Sequence, residues 1–567
     1  MQHANLLLAG AQLLLITLIT AIHPGDTSAG HAAGRPNILL IVADDLGYSD
    51  LGIYGSEIST PNLDSLARKG VLLSQFNVAP NCAPSRSAML TGVDYHRAGL
   101  GGNVEVAADN QKGLPAYQGF LRDDVVAVSE LLRDGGYHTY MAGKWHLGKD
   151  PRNLPGGRGF GRSFALLNGG ASHWADQRAL IPGSKTTYTN DDRVVSELPK
   201  DFYSSTYYAD RIIEYIDSGL EDGKPFFAYL AFTAPHNPLH APDASTEKYR
   251  GVYDKGWDVV AGERLRRQQQ LGLADEAFAA AARPDWVRAW DELTSEQKAQ
   301  RARDMEVYAG MIDYMDESIG RVLAHLRVKG EFENTLVIFI SDNGPSKTAI
   351  NDYLALGGNV ADFVRSFDNS LENKGRPGSS TDIGPGWAFA SATPLRLFKG
   401  YVAQGGIQVP AIVKLPGPEN QETRRIATFA HITDLMPTFL EIAGIGYPSS
   451  YRGIPVVNPQ GRSLLPLLSG QEDVAVKERG MGWEAYGMDA WRQGDWKILR
   501  LPPPYGNNDW QLYDLTRDPG ETTDIAEDNP DLVRELAVKW EHYARTNEVV
   551  HPDKPVAYGK PVSPGKY

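Results

Sequence analysis

The sequence predicts an α/β protein: a large doubly wound mixed sheet flanked by helices, followed by a smaller C-terminal α+β domain built on an antiparallel sheet. Three observations predict it. Short apolar runs rich in β-branched residues stop abruptly at polar or glycine-rich sequence, as buried parallel strands do at their carboxyl ends. Helical patterns lie between these runs. After about residue 433 the texture changes to short strand-like pieces.

The strands come in order. Asn37-Ile38-Leu39-Leu40-Ile41-Val42-Ala43 ends at Asp44-Asp45, and Thr139-Tyr140-Met141-Ala142 ends at Gly143-Lys144-Trp145-His146. Phe226 to Phe232 runs on to Pro235-His236, and Leu336 to Ile340 to Asp342-Asn343-Gly344. Helices are expected over Asn62 to Lys69, Asp124 to Arg133, Ala209 to Asp217 and Arg303 to Arg327. In such folds ligands bind at the carboxyl edge of the sheet, so these strand ends should converge on one site. Glu247 to Gln300 reads as solvated helices without chemistry, and Ser346 to Ser391 as a long loop shaping access to the site. Trp496-Lys497-Ile498-Leu499 and Trp510 to Leu515 read as strands of the smaller domain, with a helix near Asp531 to Arg545.

At 567 residues the chain exceeds what one core usually holds. The expected division is 1–33 signal peptide, 35–432 catalytic domain and 433–567 smaller domain. The leader reading rests on Leu6-Leu7-Leu8, the run Leu13 to Ile19, then Pro24, Gly25 and small residues to Ala32-Ala33. It implies a periplasmic or secreted protein with no stable membrane span after cleavage, an uncleaved N-terminal anchor being the alternative. The formal charge of −14 argues against a general nucleic-acid binder.

Asp44-Asp45 and Asp342-Asn343 offer hard oxygen ligands from two strand ends, the chemistry of Ca²⁺ or Mg²⁺. The chain's single cysteine, Cys82, excludes an intrachain disulfide. It stands in Asn81-Cys82-Ala83-Pro84-Ser85-Arg86, where Pro84 suits a first helical turn. Residue 82 is therefore expected at a helix N-terminus with Arg86 on the same side, an electropositive setting that would activate a thiol.

Cys82-Ala83-Pro84-Ser85-Arg86 followed by Thr91-Gly92 resembles the signature of the sulfatase family, whose cysteine is oxidised to formylglycine (3-oxoalanine) by a separate formylglycine-generating enzyme. Gly143-Lys144-Trp145-His146-Leu147-Gly148 resembles the family's second signature, Ala234-Pro235-His236 its histidine motif and Phe398-Lys399-Gly400 its late lysine motif. Gly494-Asp495-Trp496-Lys497 and Leu512-Tyr513-Asp514-Leu515 extend the likeness, which is greatest to bacterial arylsulfatases.

The resemblance implies an alkaline-phosphatase-like scaffold and hydrolysis of an aryl or carbohydrate sulfate ester. Asp44, Asp45, Asp342, Asn343 and the modified Cys82 would bind Ca²⁺. The hydrated aldehyde at residue 82 would attack sulfur, Arg86 and Lys144 would hold it, and Asp342 would accept its proton. His146 would take the second hydroxyl's proton as sulfate leaves, with Lys399 and His236 on the leaving-group side. The partner is a small-molecule or saccharide sulfate ester. The rivals are a phosphodiester or phosphonate monoester hydrolase on the same scaffold and an unmodified calcium-binding homologue. His138, His173, His240 and His431 lack motif support, although Gly169-Gly170-Ala171-Ser172-His173 is a candidate pocket wall; Trp174, Trp387 and Phe389 either stack on substrate or pack their loops.

Overall fold

The strand Asn37–Asp44 is buried along its whole length. Its side chains divide between two apolar clusters: Leu39, Ile41 and Ala43 join one, Ile38, Leu40 and Val42 the other. Period-two alternation with both faces apolar is the pattern of a central strand covered on both sides. A computed structural model describes residues 34–348, 358–419, 423–471, 478–503 and 505–554; the expected signal peptide lies outside the described residues.

This strand pairs in parallel with Phe226–Pro235 on one side and Thr335–Ser341 on the other. Parallel pairing continues through His138–Lys144 to Arg162–Leu166, whereas Ala411–Lys414 runs antiparallel to Thr335–Ser341. The result is a ten-stranded mixed sheet. Pro61–Arg68, Ser204–Gly219 and Ser295–Val328 cover one face through Leu63, Ile212 and Met315. Cys82–Thr91, Val128–Asp134 and Leu435–Ala443 cover the other through Met89, Leu131 and Phe439.

A separate antiparallel sheet is built from Gly480–Ala485, Met488–Gln493, Trp496–Arg500 and Gln511–Asp514. The helix Pro530–Thr546 packs Leu536 against its Ile498 and Leu512. The described residues from Arg35 onward cluster as one compact unit, and Leu435–Ala443 still belongs to the large sheet's flank. No helix among the described residues is long and apolar enough to cross a membrane.

The expected strands stand where the apolar runs placed them. The helix expected from Asp124 begins only at Val128, because Ala127 is extended and its N–H is taken by the Glu130 carboxylate at 3.0 Å. The segment expected to be one long loop carries two helices, Gly358–Arg365 and Gly384–Ala392. The reading of 247–300 as merely solvated is corrected. Within Trp257–Gln270, Arg264 is wholly buried and its guanidinium reaches Asp50 at 2.5 Å and Glu57 at 2.7 Å.

Candidate active site

Four strand ends and one helix start meet at the carboxyl edge of the sheet. Asp44 closes its strand and Asp45 follows at φ 67°, a left-handed conformation that aspartate tolerates better than bulkier residues. The Tyr308 hydroxyl lies 2.8 Å from Asp50 Oδ2 and 3.2 Å from the Asp45 carbonyl, bracing this turn. Asp342 follows Thr335–Ser341 and donates its N–H to the Ala43 carbonyl, which places the two acidic pairs side by side. Cys82 is the first residue of Cys82–Thr91, a helix closed by Gly92 at φ 67°. Lys144 ends His138–Lys144, His146 lies two residues beyond, and His236 follows Phe226–Pro235.

The contacts form one buried network. Cys82 Sγ lies 3.4 Å from Asp44 Oδ1, 3.9 Å from Asp45 Oδ1 and 3.1 Å from Lys399 Nζ. Lys399 donates to Asp45 Oδ1 at 2.5 Å, and Lys144 to Asp44 Oδ2 at 2.6 Å. Arg86 grips Asp342 Oδ2 through Nε at 2.9 Å and Nη2 at 2.8 Å, and donates Nη1 to the Lys144 carbonyl at 2.8 Å. His236 Nε2 stands 3.6 Å from Asp45 Oδ2. Carboxylates and cations thus interleave, which makes the burial of so much charge tolerable.

The donor set fits a hard cation. Asp44, Asp45, Cys82 and His236 each point one ligand atom into a region where all four lie within 4.8 Å of one another. Asp45 Oδ2 and Asn343 Oδ1 are buried oxygens without a hydrogen-bond partner, and Asn343 Nδ2 rests 2.6 Å from Asp45 Oδ1. Unpartnered buried carboxylate and amide oxygens are what a metal would satisfy. His236 thus stands among the possible ligands, a place the sequence did not give it. Asp342 is engaged differently, with Oδ2 on Arg86 and Oδ1 accepting the Asp45 N–H at 3.3 Å.

Electrostatics correct one expectation. Burial pushes the Cys82 thiol up to about 12, with Lys144 and Lys399 pulling only part of the way back, so the thiol itself is not activated. Burial also works against ionised Asp45, but Lys399, His236 and Lys144 outweigh it and hold the carboxyl at about 2. Burial keeps His236 neutral, down to about 3, against the opposing pull of Asp45.

Around this network the sequence was less informative. His146 sits one step out, with Nε2 3.5 Å from Glu105 Oε1, a residue no motif marked. The Gly169-Gly170 wall is real: a Cβ on Gly169 would lie 2.7 Å from His146 Cε1, and one on Gly170 3.1 Å from His236 Cε1. His173 stands behind it, with Nε2 donating to the His236 carbonyl at 3.1 Å and Nδ1 2.7 Å from Ser204 Oγ. His240 shares that layer, whereas His138 pairs with Asp222 and His431 caps Thr433. Trp387 is fully buried against Trp257 and Trp290, and its indole donates to the Arg301 carbonyl, so substrate stacking is ruled out for it.

A mixed sheet of this order, with clustered carboxylates, a buried cysteine at a helix N-terminus and three buried cations, defines an alkaline-phosphatase-like ester hydrolase. The comparisons narrow the class. The family model described as Sulfatase matches residues 36–445, and the chain belongs to that family. It is 42% identical to an uncharacterized sulfatase of Schizosaccharomyces pombe over 92% of this chain and 96% of that protein. It is 39% identical to the arylsulfatase of Klebsiella aerogenes over 76% of this chain and 92% of that enzyme. The crystal structure of Ps i-CgsB aligns with a TM-score of 0.65 and 25% identity, covering 91% of this chain and 94% of that one. The protein is a sulfuric ester hydrolase.

Proposed function

We propose that this sulfatase is exported to the periplasm or secreted, takes an aryl or carbohydrate sulfate, and works through formylglycine at residue 82 with a calcium ion held by Asp44, Asp45, Asp342 and Asn343. The observation that carries this reading is the position of Cys82. The only cysteine of the chain stands among hard oxygen ligands and 3.1 Å from a lysine, a setting of no use to a disulfide.

When in place, the hydrated aldehyde would supply a hydroxyl nucleophile and a second hydroxyl whose deprotonation releases sulfate; the cation would lower the acidity barrier of that hydrate. The chain's own groups do the rest. Arg86 is locked by its two-pronged contact with Asp342 and the Lys144 carbonyl, so its charge is fixed beside residue 82 before substrate arrives. Lys144 and Lys399 neutralise Asp44 and Asp45; with a cation held by those carboxylates, both ammonium groups would be available to face the sulfate oxygens. His236, neutral in the free site, becomes able to protonate a leaving alkoxide only when the anionic ester raises its proton affinity. His146 accepts the proton of the second hydroxyl.

The test is peptide mass spectrometry across residue 82, after production with and without a formylglycine-generating enzyme. A loss of about 18 Da appearing together with calcium-dependent aryl-sulfate turnover supports the reading. Unmodified Cys82 in fully active protein overturns it. Faster turnover of an aryl phosphodiester than of the aryl sulfate would reassign the substrate.

A further inference from the structure

Glu105 places a carboxylate at the rim of a site built to receive an anion, where its charge opposes substrate binding unless it serves another purpose. Its partner is His146: Oε1 and Nε2 are 3.5 Å apart, with side-chain exposures of 33% and 9%. The pair is held from both sides. On the histidine's side, the missing Cβ of Gly169 lets backbone press against the ring edge bearing Cε1 and Nε2. On the glutamate's side, the turn Val104–Val106 is pinned where Gly119 leaves room for Val104, and the Gly101 and Gly119 N–H groups donate to the Ala116 and Gly99 carbonyls. Among the described residues neither His146 ring nitrogen has a hydrogen-bond partner; Nε2 faces the Glu105 carboxylate at ion-pair distance, and no carboxylate faces Nδ1.

We propose that Glu105 is a positioning residue of the reaction, its carboxylate orienting the His146 imidazole through Nε2 and stabilising the imidazolium formed when His146 takes a proton. The arrangement follows the logic of a base oriented by a third group. With Nε2–H turned to Glu105, Nδ1 keeps the lone pair that accepts the proton. The groups facing His146 divide cleanly: burial, Lys144 and Arg86 disfavour its charged form, and Glu105 favours it. Lys149 is the further cation near Glu105. Without Glu105 the imidazole is a weaker base with no fixed tautomer.

The inference rests on the proposed role of His146, so its test has two arms. In unmodified, metal-free protein, the histidine NMR titration is followed in wild type and in the isosteric Glu105→Gln, with His146→Gln to assign the signal. The His146 midpoint should fall by about one pH unit or more in Glu105→Gln. In protein with residue 82 converted, Glu105→Gln should lower kcat for an aryl sulfate about tenfold or more and move the acid limb of the profile to lower pH. KM should stay within about twofold, and Glu105→Asp should recover part of kcat. An unchanged His146 titration with unchanged kcat overturns the proposal. Converted wild-type protein without sulfatase turnover would instead sink the formylglycine reading, and the titration would still decide whether Glu105 governs His146.

Discussion

Histidines behind the site should govern the acid stability of the protein. His173 and His240 are fully buried; burial holds the first at about 3, with His240 and His236 adding to the effect, and the second at about 4 despite the Ser379 carbonyl. Both pKa values lie below that of an unfolded histidine, near 6.5. Between about pH 4 and 6.5 the unfolded chain therefore binds protons that the native state refuses, and stability falls as pH drops through that window. Each histidine contributes a slope of about 1.4 kcal/mol per pH unit where the difference is complete. Urea midpoints between pH 5 and 7 should show a steep decline on the acid side, and His240→Asn should flatten it by about 1 kcal/mol per unit. An unaltered slope in that variant means that His240 is already charged in the native protein. The sequence offered the segment ending at His173 as a pocket wall but left both histidines without a role, because that role is second-hand: His173 touches the His236 carbonyl rather than substrate, and no motif records that.

The elements that were legible are those whose function fixes their sequence locally. An apolar run that must be buried on both faces and then deliver a carboxylate leaves Ile38 to Asp45, and a helix that must begin at residue 82 leaves Cys82-Ala83-Pro84. What stayed hidden are side chains whose meaning depends on distant partners. Arg264 sits in a charged stretch that looks solvated, yet Asp50 and Glu57, more than 200 residues away, draw it into the interior. Trp387, which the sequence left open between stacking on substrate and packing its loop, fills a space between Trp257 and Trp290. Arg264 ties the helix Trp257–Gln270 to the turn after Asp44-Asp45, through Asp50 and then Tyr308. Arg264→Met should leave Asp50 buried without a counter-charge, Glu57 keeping Arg267 at 3.0 Å, and cost about 3–5 kcal/mol. Chemical unfolding checks the magnitude. Calorimetric titration with Ca²⁺ should show weaker binding, because Asp45 loses the brace on its left-handed backbone; unchanged affinity would confine Arg264 to stability.

At the scale of the whole molecule, the C-terminal antiparallel sheet is a structural member of the active site. It reaches the segment before Cys82 through the Trp483 indole, which donates to the Val78 carbonyl, and through the Tyr486 hydroxyl, 3.3 Å from Asn81 Oδ1. It reaches the segment after Lys399 through Lys497, which donates to the Val402 carbonyl at 2.7 Å, Gln404 Oε1 at 3.0 Å and Glu521 Oε1 at 2.6 Å. Glu521 Oε2 in turn accepts the Gln404 N–H at 2.8 Å. Both members of the pair are wholly buried, and burial lowers Lys497 to about 8 against the pull of Glu521. Such a pair is weak evidence for stability in itself, but breaking it strands a charge in the interior. Lys497→Met should therefore cost about 3–5 kcal/mol and lower aryl-sulfate kcat by loosening the loop that carries Lys399. Glu521→Gln should do the same to a lesser degree, because the amide can still accept from Lys497. The double variant should lose less stability than the two singles summed, since the second change removes the group the first left stranded. Urea unfolding gives the coupling, and turnover measured well below each variant's melting temperature separates loop placement from unfolding. If the singles are destabilised but turn over aryl sulfate at the wild-type rate, the sheet supports the fold without setting Lys399.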